Sequence, residues 1–253
     1  MILSRTEMLA IEQAIVRGWP SLETRRIDGW LARWSSGGSV RANSVATIAY
    51  TGCDLDCSIA AVVEFYRAQK GIPRFVIAAS TTPADLDPQL DACGWQRSGD
   101  HVTLAKNIDP APALTVPAPG IGIVRHKAPT TAWSDIYLAG LSADRRGIAL
   151  RLVEGTPEPR TFYSAIHDGQ VIASGLSIRD GALASVQCMA TLLAARRTGA
   201  ATTILTAIEA DALAHQVTRL YLQTDAANIG AISVYERFGF HVADRYHMRE
   251  LTS

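Results

Sequence analysis

Two arginines, a glycine and a run of small residues stand together at Arg196-Arg197-Thr198-Gly199-Ala200-Ala201-Thr202. The apolar, uncharged stretch Ala182 to Met189 precedes them as a strand candidate, and Ala190 to Ala195 makes a short connection. Behind them Ala201, Ile204, Leu205, Ile208 and Ala212 fall on one helical face. A basic turn therefore sits where a strand hands over to a helix N-terminus. Free backbone N–H groups and the positive dipole end at such a place suit a pyrophosphate. Gly199 and Ala201 lack the bulk that would keep phosphate oxygens away from the backbone. Farther on, Ala231, Val234, Tyr235 and Phe238 share one face of a helix, which turns the Tyr235 phenol inward. A phenol that titrates near pH ~10 keeps its proton at neutral pH and can donate it. Asn228 stands just before that helix as its N-cap.

Arg196-x-x-Gly199-x-Ala201 resembles the Gln/Arg-x-x-Gly-x-Gly/Ala signature of the GNAT N-acetyltransferase superfamily. Tyr235-Glu236-Arg237-Phe238-Gly239-Phe240 resembles that superfamily's Tyr-Glu-x-x-Gly-Phe run. The resemblance covers residues 121 to 253 well and 1 to 106 loosely. It implies acetyl-CoA as cosubstrate, with no metal, and a pyrophosphate site at Arg196, Arg197, Thr198, Gly199, Ala200, Ala201 and Thr202. It also implies that the backbone of Cys188, Met189, Ala190 and Thr191 runs alongside pantetheine like an added strand. Asn228 would then bond the pantetheine or pyrophosphate arm, and Tyr235 would serve beside the sulfur as general acid. The activity implied is acetyl transfer to a primary amine, small-molecule or peptide, by direct attack in a ternary complex. Many members place a Glu or Asp base on the opening strand, where this chain has Ser185 and Gln187. A water chain, His167 or a carboxylate such as Glu154 is left to act as base. That departure also leaves open a non-catalytic acyl-CoA-binding or regulatory module. Cys188 has no histidine partner in sequence, so the thiol is not expected to relay the acyl group.

The elements that must position these residues fall into two segments. Residues 1–106 read as helix Glu7–Gly18, strand Ile27–Trp34, a Ser-Ser-Gly-Gly turn, and a strand around Val45–Tyr50. Helix Asp54–Lys70, strand Phe75–Ala79, helix Pro83–Cys93 and strand Gln96–Lys106 follow. Residues 107–120, with four prolines, read as a semi-rigid linker. Residues 121–253 give strand Ile121–Arg125, helices Thr131–Leu141 and Arg145–Val153, and strands Arg160–His167 and Val171–Ile178 around an Asp168-Gly169 turn. The opening strand and helix described above come next, then strand Arg219–Thr224, helix Gly230–Phe238 and a final strand pair over Phe240–Leu251. The pattern predicts an α/β (α+β) chain with a mixed sheet and crossover helices. The resemblance makes that sheet mostly antiparallel and flanked by helices, in a GNAT fold. Both Leu90–Trp95 and Val234–Phe240 end a helix at glycine and open a strand with an aromatic residue. This echo points to two GNAT-like domains in tandem. The first would be degenerate, would lack the Arg-x-x-Gly-x-Ala turn, and would cover a sheet edge or wall the acceptor pocket.

With 253 residues, 48% of them hydrophobic, the chain can bury a substantial core. Lys+Arg and Asp+Glu both total 24, a balance that argues against a nucleic-acid partner, which needs a basic face. No apolar run approaches the roughly 18 to 20 residues of a membrane span. The first fifteen residues carry acidic groups at helical spacing where a signal peptide has an apolar core. Cys53 and Cys57 lie one helical turn apart without a second Cys/His pair, so the cysteines read as free thiols and not as metal ligands. A cytoplasmic setting follows by default, with a monomer or homodimer expected.

Overall fold

The computed structural model describes residues 3–109 and 118–252. The core of the predicted linker, residues 110–117, lies outside them. The chain opens with α1 (Arg5–Gly18), whose start is fixed by a capping box. The Glu7 N–H donates to Ser4 Oγ at 3.3 Å, and the Ser4 N–H donates to Glu7 Oε2 at 2.8 Å. Met8, Ile11, Ala14 and Ile15 form its buried stripe. The strand expected over Ile27–Trp34 is instead a hairpin of β1 (Glu23–Ile27) and β2 (Trp30–Trp34). Asp28 and Gly29 make the turn with φ of 46° and 90°, and a Cβ on Gly29 would meet the Ala49 carbonyl oxygen at 1.9 Å. The strand expected over Val45–Tyr50 shrinks to single bridges, Val45 to Phe75 and Ala46 to Leu31. Helix α2 (Leu55–Ala68), β3 (Arg74–Ile77), α3 (Leu86–Ala92) and β4 (Gln96–Asn107) complete this segment.

The second segment runs β5 (Gly122–His126), α4 (Thr131–Leu138), α5 (Ala143–Glu154), β6 (Arg160–His167), β7 (Gln170–Asp180), β8 (Leu183–Thr191), α6 (Ala200–Ala214), β9 (Arg219–Asp225), α7 (Ile229–Arg237) and β10 (His241–Glu250). The final strand pair expected within this segment is one strand, β10, and its neighbours on both sides come from the first segment. Strands of both segments build one eight-stranded sheet in the order β3-β10-β4-β9-β8-β7-β6-β5. Every pairing in it is antiparallel except β8 with β9.

That order has a consequence for the unit β3-α3-β4 and its counterpart β9-α7-β10. In each unit the two strands do not pair with one another. They exchange, so that β10 inserts between β3 and β4, and β4 inserts between β10 and β9. The glycine-then-aromatic signals that open these strands, Gly94-Trp95 and Gly239-Phe240, both carry positive φ at the glycine.

Helices cover both faces. Ile204, Leu205 and Ile208 of α6 and Tyr235 of α7 pack with Val102, Leu104, Ala184, Val186, Leu220 and Leu222. Because strand side chains alternate, the neighbours Ala105 and Tyr221 point the other way and meet the apolar stripe of α1. On that second face Trp133, Leu152 and Val153 of α4 and α5 pack on Phe162, Leu176 and Ile178.

Candidate active site

The sheet opens at its one parallel pairing. Strands β8 and β9 match only at Leu183 with Arg219, Ala184 with Leu220 and Ser185 with Tyr221. Beyond Ser185, β8 stays paired to β7 as far as Thr191, whereas β9 stays paired to β4 as far as Asp225. The two strands therefore diverge, and from Val186 to Thr191 one edge of β8 has no strand beside it among the described residues. A register shift between Ser174 and Leu176 marks a bulge, and Cys188 sits in it with φ of 53°. Bulged backbone re-aims side chains. Cys188 joins Trp133 and Tyr137 on the α4 side, while Met189 packs toward α6.

A cleft of about 1090 Å³ runs from this open edge across the start of α6 to the side of α7. Met189, Ala190, Thr191, Arg196, Arg197, Gly199, Ala200, Ala201, Thr202, Asn228 and Tyr235 all line it. Cys188 and Thr198 do not; the Thr198 hydroxyl is used internally, donating to the Ala195 carbonyl at 2.8 Å. Tyr137 of α4 and Val234 of α7 also form the walls. Nothing local in the sequence marks Tyr137 as a wall, because its place depends on how α4 packs over β7 and β8.

Local rules explain the turn before α6. Gly199 is the N-cap in the left-handed region, φ 92°, and no side chain among the described residues caps the helix. A Cβ at Gly199 would approach Ala118 Cβ to 2.7 Å, so glycine is required twice over, for conformation and for space. The first amides of a helix have no intrahelical acceptor. Here no described backbone carbonyl accepts from the N–H groups of Ala200, Ala201 and Thr202. Orphan donors, the helix dipole and the two arginines together favour a phosphate-bearing ligand at this end.

At the other end, Asn228 caps α7 by accepting from the Ala231 N–H at 3.2 Å. Asn228 is also one of the residues that line the cleft. Tyr235 is 9% exposed, with its ring edge-on to Phe240 at 5.9 Å. Burial pushes the Tyr235 phenol up to about 12, so it carries its proton throughout the neutral range. Burial pushes the Cys188 thiol up to about 12 as well, which leaves it a poor nucleophile.

The groups weighed as bases stand apart from the cleft. His167 lies at the exposed β6–β7 turn with Nδ1 2.9 Å from the Gly120 carbonyl, and Glu154 is exposed at the end of α5. Ser185 is fully buried against Ile178, and the Gln187 carboxamide oxygen accepts from Arg41 at 3.4 Å.

A mostly antiparallel sheet with one splayed parallel pair, flanked by helices, and a helix N-terminus at the splay define the GNAT class. Solved structures show the same fold. A GCN5-related N-acetyltransferase from Kribbella flavida matches with a TM-score of 0.71 at 16% identity, over 100% of this chain and 97% of that one. A tandem GNAT protein from the clavulanic acid biosynthesis pathway matches with a TM-score of 0.61 at 15% identity, over 83% and 76%. Within that class the chain belongs to the family described as "Probable histone acetyltransferase Rv0428c C-terminal", whose model matches residues 6–249. It is also 24% identical over 243 residues to the uncharacterized N-acetyltransferase YobR of Bacillus subtilis, covering 94% of this chain and 96% of that one.

Proposed function

We propose that the protein transfers an acetyl group from acetyl-CoA to a primary amine within a ternary complex. The observation that carries this reading is the coincidence, in one cleft, of an open strand edge, an uncapped helix N-terminus and an inward tyrosine. Those three features fit the three parts of the donor. Amides and arginines at residues 196–202 suit the pyrophosphate, the free edge of β8 suits the amide-bearing arm, and Tyr235 suits the sulfur. Bound there, acetyl-CoA supplies an activated acyl group. Backbone N–H groups near the Cys188 bulge would polarise its carbonyl while the neutral amine forms the C–N bond. As the C–S bond breaks, the Tyr235 hydroxyl would give its proton to the departing thiolate, and the proton lost by the amine nitrogen would pass through solvent to restore the phenol. Direct attack is favoured over an acyl-enzyme because the one cysteine near the cleft is held as a thiol. The family membership and the relatives' names support the same chemistry.

A second reading, an acyl-CoA-binding module without acceptor chemistry, draws on the absence of a carboxylate at Ser185 or Gln187. Titration calorimetry with acetyl-CoA and CoA tests the donor site for both readings. Wild type should bind on the order of micromolar, and Gly199→Glu, with melting temperature as a folding control, should lose that binding. Failure of the wild type to bind either compound would sink both. Thiol release in the presence of amines then separates the enzyme from the binding module.

A further inference from the structure

A second cavity, of about 50 Å³, lies on the α1 face of the sheet, across the β8–β9 splay from the cleft. It is built from both segments: α1, β2 and residues 46–48 meet β4, β9 and β10 around it. Four charged side chains line it, namely Glu12 of α1, Asp244 of β10, Arg33 of β2 and Arg41. Two are anions and two are cations, yet no ion pair joins any of them among the described residues.

Two atoms on this lining are enclosed without a hydrogen-bond partner among the described residues, Glu12 Oε1 and Arg33 Nη1. Arg33 is 3% exposed. Its other nitrogens donate to Ser44, from Nε to the carbonyl at 3.2 Å and from Nη2 to the hydroxyl at 3.3 Å. Asp244 Oδ2 accepts the Ala79 N–H at 3.2 Å. Tyr246, stacked on His101 at 5.0 Å, is the remaining titratable group on the lining. Burial and the nearby Asp244 raise Glu12 to about 7, and burial lowers Arg33 to about 10. Buried charges without partners are costly, and the cost is relieved when a ligand supplies the missing partners.

Arg41 links the cavity to the splay. Its guanidinium donates to the Gln223 carboxamide at 3.5 Å and to the Gln187 carboxamide at 3.4 Å, and it lies 4.6 Å over the Trp19 ring. Gln187 and Gln223 stand on the two diverging strands, just past the last paired residues.

We propose that this cavity binds a small zwitterion, with its ammonium on Glu12 and Asp244 and its carboxylate on Arg33 and Arg41. A singly charged amine would leave the arginines unanswered, and a carboxylate alone would leave the acids so. On the acetyltransferase reading, and resting on it, the occupant is the acceptor, and its class is a free amino acid. A protein side chain does not meet both ends of so small a space.

Calorimetry with glycine, β-alanine and 4-aminobutyrate, beside n-butylamine and butyrate as singly charged controls, tests this. At least one zwitterion should bind about tenfold tighter than either control. Glu12→Gln and Arg41→Gln should each weaken that binding by about tenfold or more. Arg33→Gln is a third probe, used if its melting temperature shows a folded protein; Glu12→Gln, on the half-buried face of a helix, keeps the test decisive without it. Equal binding of zwitterions and controls, no binding by any zwitterion, or indifference to Glu12→Gln overturns the proposal. Acetyl-CoA affinity, measured on the same samples, should be unchanged in Glu12→Gln. Zwitterion binding without acetyl-CoA binding would sink the transferase reading and keep the cavity, and the reverse would sink the cavity alone.

Discussion

At the scale of single residues the cleft beside α6 and the second cavity differ in how far apart their members lie in sequence. Arg196, Arg197, Gly199 to Thr202, Asn228 and Tyr235 meet in one cleft because short connections through α6, β9 and α7 bring them together. Replacing Tyr235 by Phe should cut thiol release by about 10²-fold or more. Acetyl-CoA affinity should stay within about twofold, since the ring and its packing on Phe240 remain. Unchanged thiol release would remove Tyr235 from the chemistry. Glu12 makes a pH prediction. Its ordinary value is 4.5 and its folded value about 7, with Asp244, Arg33, Arg41 and Tyr246 sharing the cavity. Below 4.5 the carboxyl is protonated in both folded and unfolded chains and changes nothing. As pH rises toward 7 only the unfolded chain releases the proton, so stability falls, and above 7 the loss is complete. Glu12→Gln escapes this. Its stability relative to wild type should rise by about 1–2 kcal/mol between pH 5 and pH 8, a figure discounted for partial exposure. Denaturant titrations at both pH values would show it, and a constant difference would contradict it.

At the scale of elements, helices and their caps follow from local sequence, whereas strand boundaries do not. Ser4 with Glu7 and Asn228 with Ala231 fix helix starts within a few residues of chain. The Val45–Tyr50 stretch has strand composition but finds a partner at only two residues, so no strand forms. The bulge at Cys188 is likewise set by pairing to β7, and its residue type does not announce it. Gly175 of β7 shows how closely the elements must approach to form the cleft. A Cβ there would lie 2.7 Å from Ile204 Cγ2 of α6 and 2.9 Å from Met189 Sδ of β8. Gly175→Val should therefore cost about 1–3 kcal/mol of stability by overpacking. It should also weaken acetyl-CoA binding, because α6 carries the amides at the end of the cleft. Chemical denaturation and calorimetry on one sample check both parts.

At the scale of the whole molecule the exchange of β4 and β10 joins the two segments into one sheet. Side chains reinforce it. Arg74 of β3 pairs with Glu250 of β10 at 2.6 Å, and Arg249 of β10 reaches Asp87 of α3 at 2.7 Å. Lys106 of β4 pairs with Glu209 of α6 at 2.6 Å and lies 4.2 Å over the Phe238 ring. A chain of residues 121–253 alone would leave edges of β9 and β10 unpaired and Leu220, Leu222 and Phe240 partly uncovered. Expressed by itself it should be insoluble or unfolded, and co-expression with residues 1–109 should restore a folded complex. The full chain should unfold in a single cooperative transition. A well-folded 121–253 fragment with a dispersed spectrum would show that the exchange is dispensable.

The sequence by itself determined the class of fold, the order of elements from residue 121 as far as α7, the glycine turn before α6 and the inward tyrosine. These depend on hydrophobic period, caps and glycine geometry, all of which act within a turn or two of the chain. Tertiary structure alone decided that β4 lies between β9 and β10, that β8 and β9 part after Ser185, and that Glu12, Arg33, Arg41 and Asp244 line one cavity. Each of these is a pairing between residues far apart in sequence. Nothing in the local chain energetics favours one such pairing over another until the apolar faces of both segments are buried together.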